Sequence, residues 1–273
     1  MKVRQSAPAK VNLSLHVTGQ DARGYHLLDS LVVFVDLADQ VTLSPAAERS
    51  LQVTGPMAKG VPEDARNLVW RAAEMFYPDL PVAMQLEKHL PPASGIGGGT
   101  SDAAATLRAL AELSGRDLPD AAQAAGLGAD LPVCLRPGIW RMRGIGEDLS
   151  AGPELPPLWL VLVNPRIEVP TPAVFKALLQ KTNPPMAPVG QDVIEWIRAQ
   201  RNDLQAAAES LAPVIGDVIT NIGAQPDCRL ARMSGSGATC FGLFETAGAA
   251  QAAADVITNT RPDWWVAAGA VLA

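Results

Sequence analysis

Residues 91–110 read PPASGIGGGTSDAAATLRAL. Gly95, Gly97, Gly98 and Gly99 crowd in front of an alanine-rich segment. That segment is predicted to be a helix from about Ser101 to Leu113, closed by Ser114-Gly115, because glycine just past the end is the usual stop. Upstream, VAMQLEKHL alternates, with Val82, Met84 and Leu86 on one face, which is a strand pattern. A strand, a glycine turn and a helix N-terminus together form an anion site. Backbone N–H groups point outward there and the helix dipole adds partial positive charge. Glycine lets a bulky phosphate approach the backbone, and Thr100 and Ser101 add hydroxyls at the helix cap. The stretch is not a Walker loop, because Thr-Ser follows Gly99 where Lys is required. It is not a dinucleotide fingerprint either. Counted from Gly95 the last position is Thr100, and counted from Gly97 it is Asp102. A tight turn without a ligand is the alternative, and the conformational entropy lost by three adjacent glycines opposes it.

The 273 residues suffice for one large domain or two small ones. Apolar residues make up 48% and charged residues 18%, which argues against disorder. The net charge of −6 argues against general nucleic-acid binding and leaves room for a local cationic pocket. Cys134, Cys228 and Cys240 are odd in number and lack CxxC spacing, so buried or free thiols in a reducing compartment are expected. His16, His26 and His89 show no zinc-ligand spacing. The N-terminal MKVRQSAPAKVNLSLHV has no apolar run with a cleavage site. SLVVFVDLAD and LWLVLVN are too short to span a bilayer. The expectation is a cytoplasmic protein with no membrane contact.

VNLSLHV alternates and reads as a half-buried strand, followed by strands at LVVFVDLAD, QVTLSP and SLQVTGP. NLVWRAAEMFYP has helical spacing and stops at Pro78. A short helix is expected at 119–126. SAGPELPP, Ser150–Pro157, is the linker candidate. It separates an N-terminal domain, 1–152, from a C-terminal domain, 153–273. Beyond it the order is strand (158–163), helix (172–180), two or three helices (192–222), strand (229–233), strand (238–244), helix (247–258) and strand (263–270). With the extra helices set aside this is a split βαβ arrangement.

Three blocks then act together. LPPASGIGGGTSDAAA resembles the phosphate-binding loop of the GHMP small-molecule kinases. APAKVNLSLHVTGQDARGYHLLDSLVVFVDLAD, Ala7–Asp39, is similar to their first motif, and MSGSGATCFGLF, Met233–Phe244, to their third. The resemblance covers essentially the whole chain. It implies an α+β, two-domain GHMP kinase fold, with a strand-rich βαβ N-terminal domain and a ferredoxin-like C-terminal domain. The site is expected in a cleft between them. The GGG-TSD run and GYH resemble the branch that uses ATP to phosphorylate the C2 hydroxyl of a cytidine diphosphate sugar-alcohol in isoprenoid precursor synthesis. Magnesium would accompany ATP, its protein ligands unassigned, and the protein would act as a monomer or homodimer.

The resemblance makes Asp130, in GLGADLP, the general base and sets Lys10, in PAKVN, at the reacting hydroxyl. By residue type alone, Lys10 is a surface lysine and Asp130 a turn or capping residue. Pro132 restricts Leu131, so the backbone after Asp130 is expected to be extended. Pro91, Ser94, Gly95, Gly97, Gly98, Gly99, Thr100 and Ser101 would hold the ATP phosphates, with Asn67 and Lys88 near adenine and the phosphates. Tyr25 and His26 would face the cytidine, by stacking and by hydrogen bonding to the base edge. Asn12 would orient Lys10 or the hydroxyl, and Thr171 and Phe175 would reach the same acceptor from the second domain. SGSGA, Ser234–Ala238, is either a plain hairpin turn or a loop that closes the site. Thr100 stands where the family more often has Ser, and Arg23 where it has Asp. A non-catalytic ligand sensor on this fold would lack Lys10 or Asp130, and both are present.

Overall fold

The structure, a computed structural model, describes residues 2–92 and 94–272. In chain order the elements are β1 (Val3–Gln20), β2 (His26–Pro45), β3 (Ser50–Thr54), α1 (Leu68–Phe76), β4 (Val82–Glu87), α2 (Gly98–Ser114), α3 (Ala121–Ala125), α4 (Leu131–Cys134), β5 (Trp140–Gly144) and β6 (Asp148–Ala151). There follow β7 (Trp159–Asn164), α5 (Thr171–Ala177), α6 (Val193–Ala199), α7 (Gln205–Leu211), α8 (Val214–Gly223), β8 (Leu230–Met233), β9 (Cys240–Phe244), α9 (Ala247–Thr260) and β10 (Trp265–Ala270). Two compact units contain them. The first is Met1–Ala9, Leu37–Pro92 and Gly97–Pro137, and the second is Lys10–Asp36, Ala93–Ile96 and Gly138–Ala273. β1 and β2, at 18 and 20 residues, contribute to both.

In the first unit the C-terminal half of β2 pairs antiparallel with β4, and β3 pairs parallel with β4. Val82, Met84 and Leu86 are buried, as the alternation predicts. Asn67 caps α1, its side chain accepting from the Val69 N–H at 2.9 Å. α1 packs on α2, which is buried continuously from Ser101 to Leu107. A helix covered over most of its circumference needs small or apolar side chains, which explains the run of alanines.

In the second unit the N-terminal half of β2 pairs with β5, and β5 with β6. No strand is legible there in the sequence, because segments of five and four residues hold too few repeats for a period of two to register. The remainder is an antiparallel sheet in the order β10-β7-β9-β8. The path β7-helix-β8-β9-α9-β10 is the ferredoxin-like arrangement expected. α8 and α9 pack against this sheet, and Val161, Val163, Ile222, Phe244 and Ile257 share its core with Trp264. The Arg261 guanidinium lies 3.6 Å from the centre of the Trp264 ring system, a cation–π contact. Cys228 and Cys240 are free thiols. Among the described residues no helix is long and apolar enough to cross a membrane.

Four local expectations are corrected. The strands expected at 31–39 and 40–45 are one strand, β2. VNLSLHV is buried on both faces rather than one, because its polar residues meet partners. The chain after Asp130 is helical, since Pro132 falls in the first turn of α4, where its missing N–H is not needed. α2 begins at Gly98, about three residues before the predicted start.

Candidate active site

In the first unit, α2 opens on Gly97, which takes φ 65° and caps the helix with no side-chain hydrogen bond. A residue with a Cβ is strained in that conformation. Thr100 and Ser101 therefore lie inside the first turns and are not caps. The Ser101 hydroxyl faces the Cys134 sulfur at 3.5 Å. The first N–H groups of a 17-residue helix are thus left without a side-chain cap, and its first turn carries no acidic residue. Such an end is chemically suited to an anion.

Gly98 is buried and Gly99 exposed. Pro91 is buried. Asp130 is half-buried at the N-terminus of α4, in helical conformation (φ −86°, ψ −6°), and its carbonyl accepts from the Cys134 N–H at 3.2 Å. Asn67 uses its amide internally, donating to the Pro62 carbonyl at 2.8 Å and capping α1. Lys88 is buried, and its ammonium donates to Asp39 and, at 2.8 Å, to Asp102.

In the second unit a strand face and a loop converge. Lys10, Asn12, Ser14 and His16 share one face of β1 by the two-residue period, and all four are buried. The Asn12 amide donates to Ser30 Oγ at 2.7 Å, and Ser30 donates to the Ser14 carbonyl at 2.6 Å. The Asn12 Oδ1 is buried without a hydrogen-bond partner. The loop between β8 and β9 meets this face. Ser234 Oγ accepts from the Asn12 N–H at 3.1 Å. Ser236 and Thr171 hydroxyls are 2.7 Å apart. The Thr239 N–H donates to the Ser94 carbonyl at 3.1 Å, and the Lys10 N–H to the Ile96 carbonyl at 3.0 Å. SGSG is therefore more than a hairpin turn: with Thr239 beside it, the loop holds Asn12, Ser94 and Thr171 in one cluster.

Gly95 takes φ 77°, and a Cβ there would strike the Gly237 carbonyl. Gly95→Ala is expected to destabilise the protein by about 2–4 kcal/mol, the left-handed penalty and the overpacking acting together. Urea denaturation reads this directly, and an unchanged midpoint would mean that the two loops do not touch.

Sequence reasoning missed the residue that fixes this loop. Asn202, at the start of the α7 segment, donates to the Met233 and Gly235 carbonyls at 2.8 and 2.9 Å. Nothing local in RNDL points to it, because its partners lie more than thirty residues away.

The remaining predicted residues form a second group in the same unit. His26 stacks on Phe175 with ring centroids 4.7 Å apart. Phe175 and Thr171 are one turn apart on α5, so the helix carries both. Burial, with the charge of Lys181, holds His26 below the usual imidazole range, which leaves a neutral ring with one donor and one acceptor. Tyr25 is 58% exposed, with the Arg23 guanidinium 5.2 Å from its ring centre and Asp21 paired to Arg23. The departure at Arg23 thus supports the Tyr25 turn.

Comparison with known proteins agrees with the three sequence blocks. The family described as GHMP kinases N terminal domain matches residues 67–138, and GHMP kinases C terminal matches residues 177–263. A protein of Dinoroseobacter shibae named 4-diphosphocytidyl-2-C-methyl-D-erythritol kinase is 56% identical over 267 residues, covering 96% of this chain and 92% of its own. A protein of the same name from Jannaschia sp. is 55% identical over 273 residues, covering 98% and 97%. The crystal structure of a 4-(cytidine 5'-diphospho)-2C-methyl-D-erythritol kinase superposes with a TM-score of 0.83 at 34% identity, covering 99% of this chain and 100% of that one. A homoserine kinase from Cytophaga hutchinsonii, at 19% identity and a TM-score of 0.68, shares the fold.

Proposed function

The chain belongs to the GHMP kinases, among the 4-diphosphocytidyl-2-C-methyl-D-erythritol kinases, and on that premise we propose that it transfers the γ-phosphoryl group of ATP to the C2 hydroxyl of 4-diphosphocytidyl-2-C-methyl-D-erythritol. The products are the 2-phosphate and ADP. The observation that carries this reading is the glycine-capped, uncapped-by-side-chain start of α2, an end built for phosphate. Residues 1–152 supply the nucleotide side and residues 153–273 the SGSG loop and part of the acceptor wall.

Phosphoryl transfer needs little covalent work from the protein, so positioning and charge dominate. Gly97–Ser101, with Pro91, Ser94 and Gly95, cradle the phosphates, and Asn67 and Lys88 border the nucleotide. Asp130 accepts the proton of the attacking hydroxyl, late in the transfer because a carboxylate is a weak base. Lys10 stabilises the charge that develops on the nucleophile. The unpartnered Asn12 Oδ1 supports its role in orienting the hydroxyl. Tyr25, His26, Phe175 and Thr171 hold the cytidine end, and the stack of His26 on Phe175 supports an aromatic base site. Among the described residues no group of three or more His, Cys, Asp or Glu side chains is set to hold a metal. Magnesium would arrive on the phosphates and help to neutralise their charge.

The test is a phosphoryl-transfer assay with Mg-ATP followed by phosphorus NMR. The cytidyl compound, mevalonate and homoserine are offered separately. Product with the cytidyl compound alone is expected. Product with another acceptor instead would refute the substrate and keep the kinase.

A further inference from the structure

A buried charge cluster in the first unit remains unexplained by the proposed chemistry. Lys88, Asp39 and Asp102 are each no more than 2% exposed. One ammonium and two carboxyls removed from water would leave a net negative charge if all three were ionised, and burying such a charge is costly. The donors decide which carboxyl stays neutral. Asp39 accepts from Lys88 and from the backbone N–H groups of His89 and Leu90, at 2.5 and 2.8 Å for the latter two. Asp102 accepts from Lys88 on Oδ2, and its Oδ1 is buried with no partner. Asp39 is thus well supplied with donors, whereas the buried Asp102 oxygen has none, and burial without a donor disfavours the charged form of Asp102.

We propose that Asp102 is a positioning residue, held as a neutral acid in the cluster with Lys88 and Asp39, which keeps the base of the phosphate-binding turn free of net negative charge. The cluster sits directly behind that turn. A Cβ on Gly98 would lie 3.6 Å from Lys88 Nζ and 3.9 Å from Asp39 Oδ2. Burial first, and then the charge of Asp39, push the Asp102 carboxyl up to about 8 against the opposing pull of Lys88. The charged groups acting on it come from β2 and from the end of β4. α1 and α4, which also pack on α2, bring Val69, Ala72, Leu131 and Val133, and the thiol of Cys134 faces Ser101. Loss of the Asp102 proton would add one negative charge behind the turn and repel phosphate. The nucleotide part of this inference rests on the proposed function, and the protonation state does not.

Carbon-13 NMR of aspartate-labelled full-length protein, titrated from pH 5 to 10, tests the proton. One carboxyl resonance is expected to titrate near pH 8 and to be missing from Asp102→Asn. In Asp39→Asn, where Lys88 is left to Asp102 alone, it should move down by more than about one pH unit. A wild-type spectrum with no aspartate titrating above pH 6 would overturn the proposal. Calorimetry with Mg-ADP tests positioning. The wild-type Kd is expected to rise about fivefold or more from pH 7 to pH 9, and that of Asp102→Asn to stay level. Equal weakening in both proteins would overturn the positioning role. Absence of nucleotide binding at both pH values would overturn that role together with the functional reading, while the carboxyl titration still judges the proton by itself.

Discussion

Asp130→Asn is expected to lower kcat by about 10²–10⁴-fold, the usual range for loss of a general base. The substitution keeps size and shape and removes the ability to take a proton. The fold should tolerate it. The helix turn there is closed by the Asp130 carbonyl, which asparagine retains. The KM for ATP should change by less than about threefold, because an interaction made only in the transition state does not alter ground-state binding. Rapid-quench measurement of a single turnover separates this from slow product release. A variant within tenfold of the wild-type rate, with its circular dichroism intact, would remove Asp130 from the role of base.

Arg232→Met is expected to lower stability by about 2–4 kcal/mol. Arg232 is 6% exposed and donates to four backbone carbonyls: Leu13 at 2.6 Å, Ile197 at 3.3 Å, Arg198 at 3.1 Å and Gln200 at 2.5 Å. Three of these lie at the C-terminal end of α6, where the helix ladder runs out; the Ile197 carbonyl also accepts from the Gln200 N–H at 3.2 Å. One guanidinium thus ties a helix end to β1. Methionine has similar length and offers no donor, so buried carbonyls are left unpaired. The sum is less than four full penalties, because the guanidinium itself is dehydrated. That dehydration lowers its own affinity for a proton, to about 10. Arg232 is also two residues before Ser234, and its partner Leu13 is next to Asn12, so turnover should fall along with the urea midpoint. An unchanged midpoint would mean that water replaces the guanidinium.

The Asp102 carboxyl carries a further consequence, with a definite sign. Its folded-state proton affinity, near pH 8, lies above its value in an unfolded chain, near 3.8. Between those limits the native state holds a proton that the unfolded chain has released. This group's contribution to stability is therefore present below about pH 4 and falls as pH rises to about 8. Denaturation series at fixed pH should show that slope in the wild-type protein and a reduced one in Asp102→Asn.

Much of the architecture was legible because it repeats locally. Val82, Met84 and Leu86 announce β4, the run from Leu230 to Phe244 announces a hairpin, and Gly115 announces the end of α2. Periodicity reports burial of one face, so it failed where both faces are covered. VNLSLHV looks half-polar, yet Asn12, Ser14 and His16 are buried against partners from Ser30 to Arg201. The β5-β6 hairpin failed for the opposite reason, having too few residues to show a period. Lys88 shows the limit for site residues. The family resemblance sets it near the phosphates, while its ammonium is held by carboxyl groups 49 and 14 residues away.

By itself the sequence determined the family, most of the order of strands and helices, and the glycine turn in front of α2. These are properties of short segments, set by backbone sterics, side-chain period and motif spacing. Only the tertiary structure decided that Gly95 meets the Gly237 carbonyl, that Asn202 fixes the SGSG loop, that Arg232 closes the end of α6, and that two aspartates share one buried lysine. Each of those depends on groups far apart in the chain that are brought within hydrogen-bonding distance. The free energy of such a contact comes from removing both partners from water together, which no local stretch of sequence records.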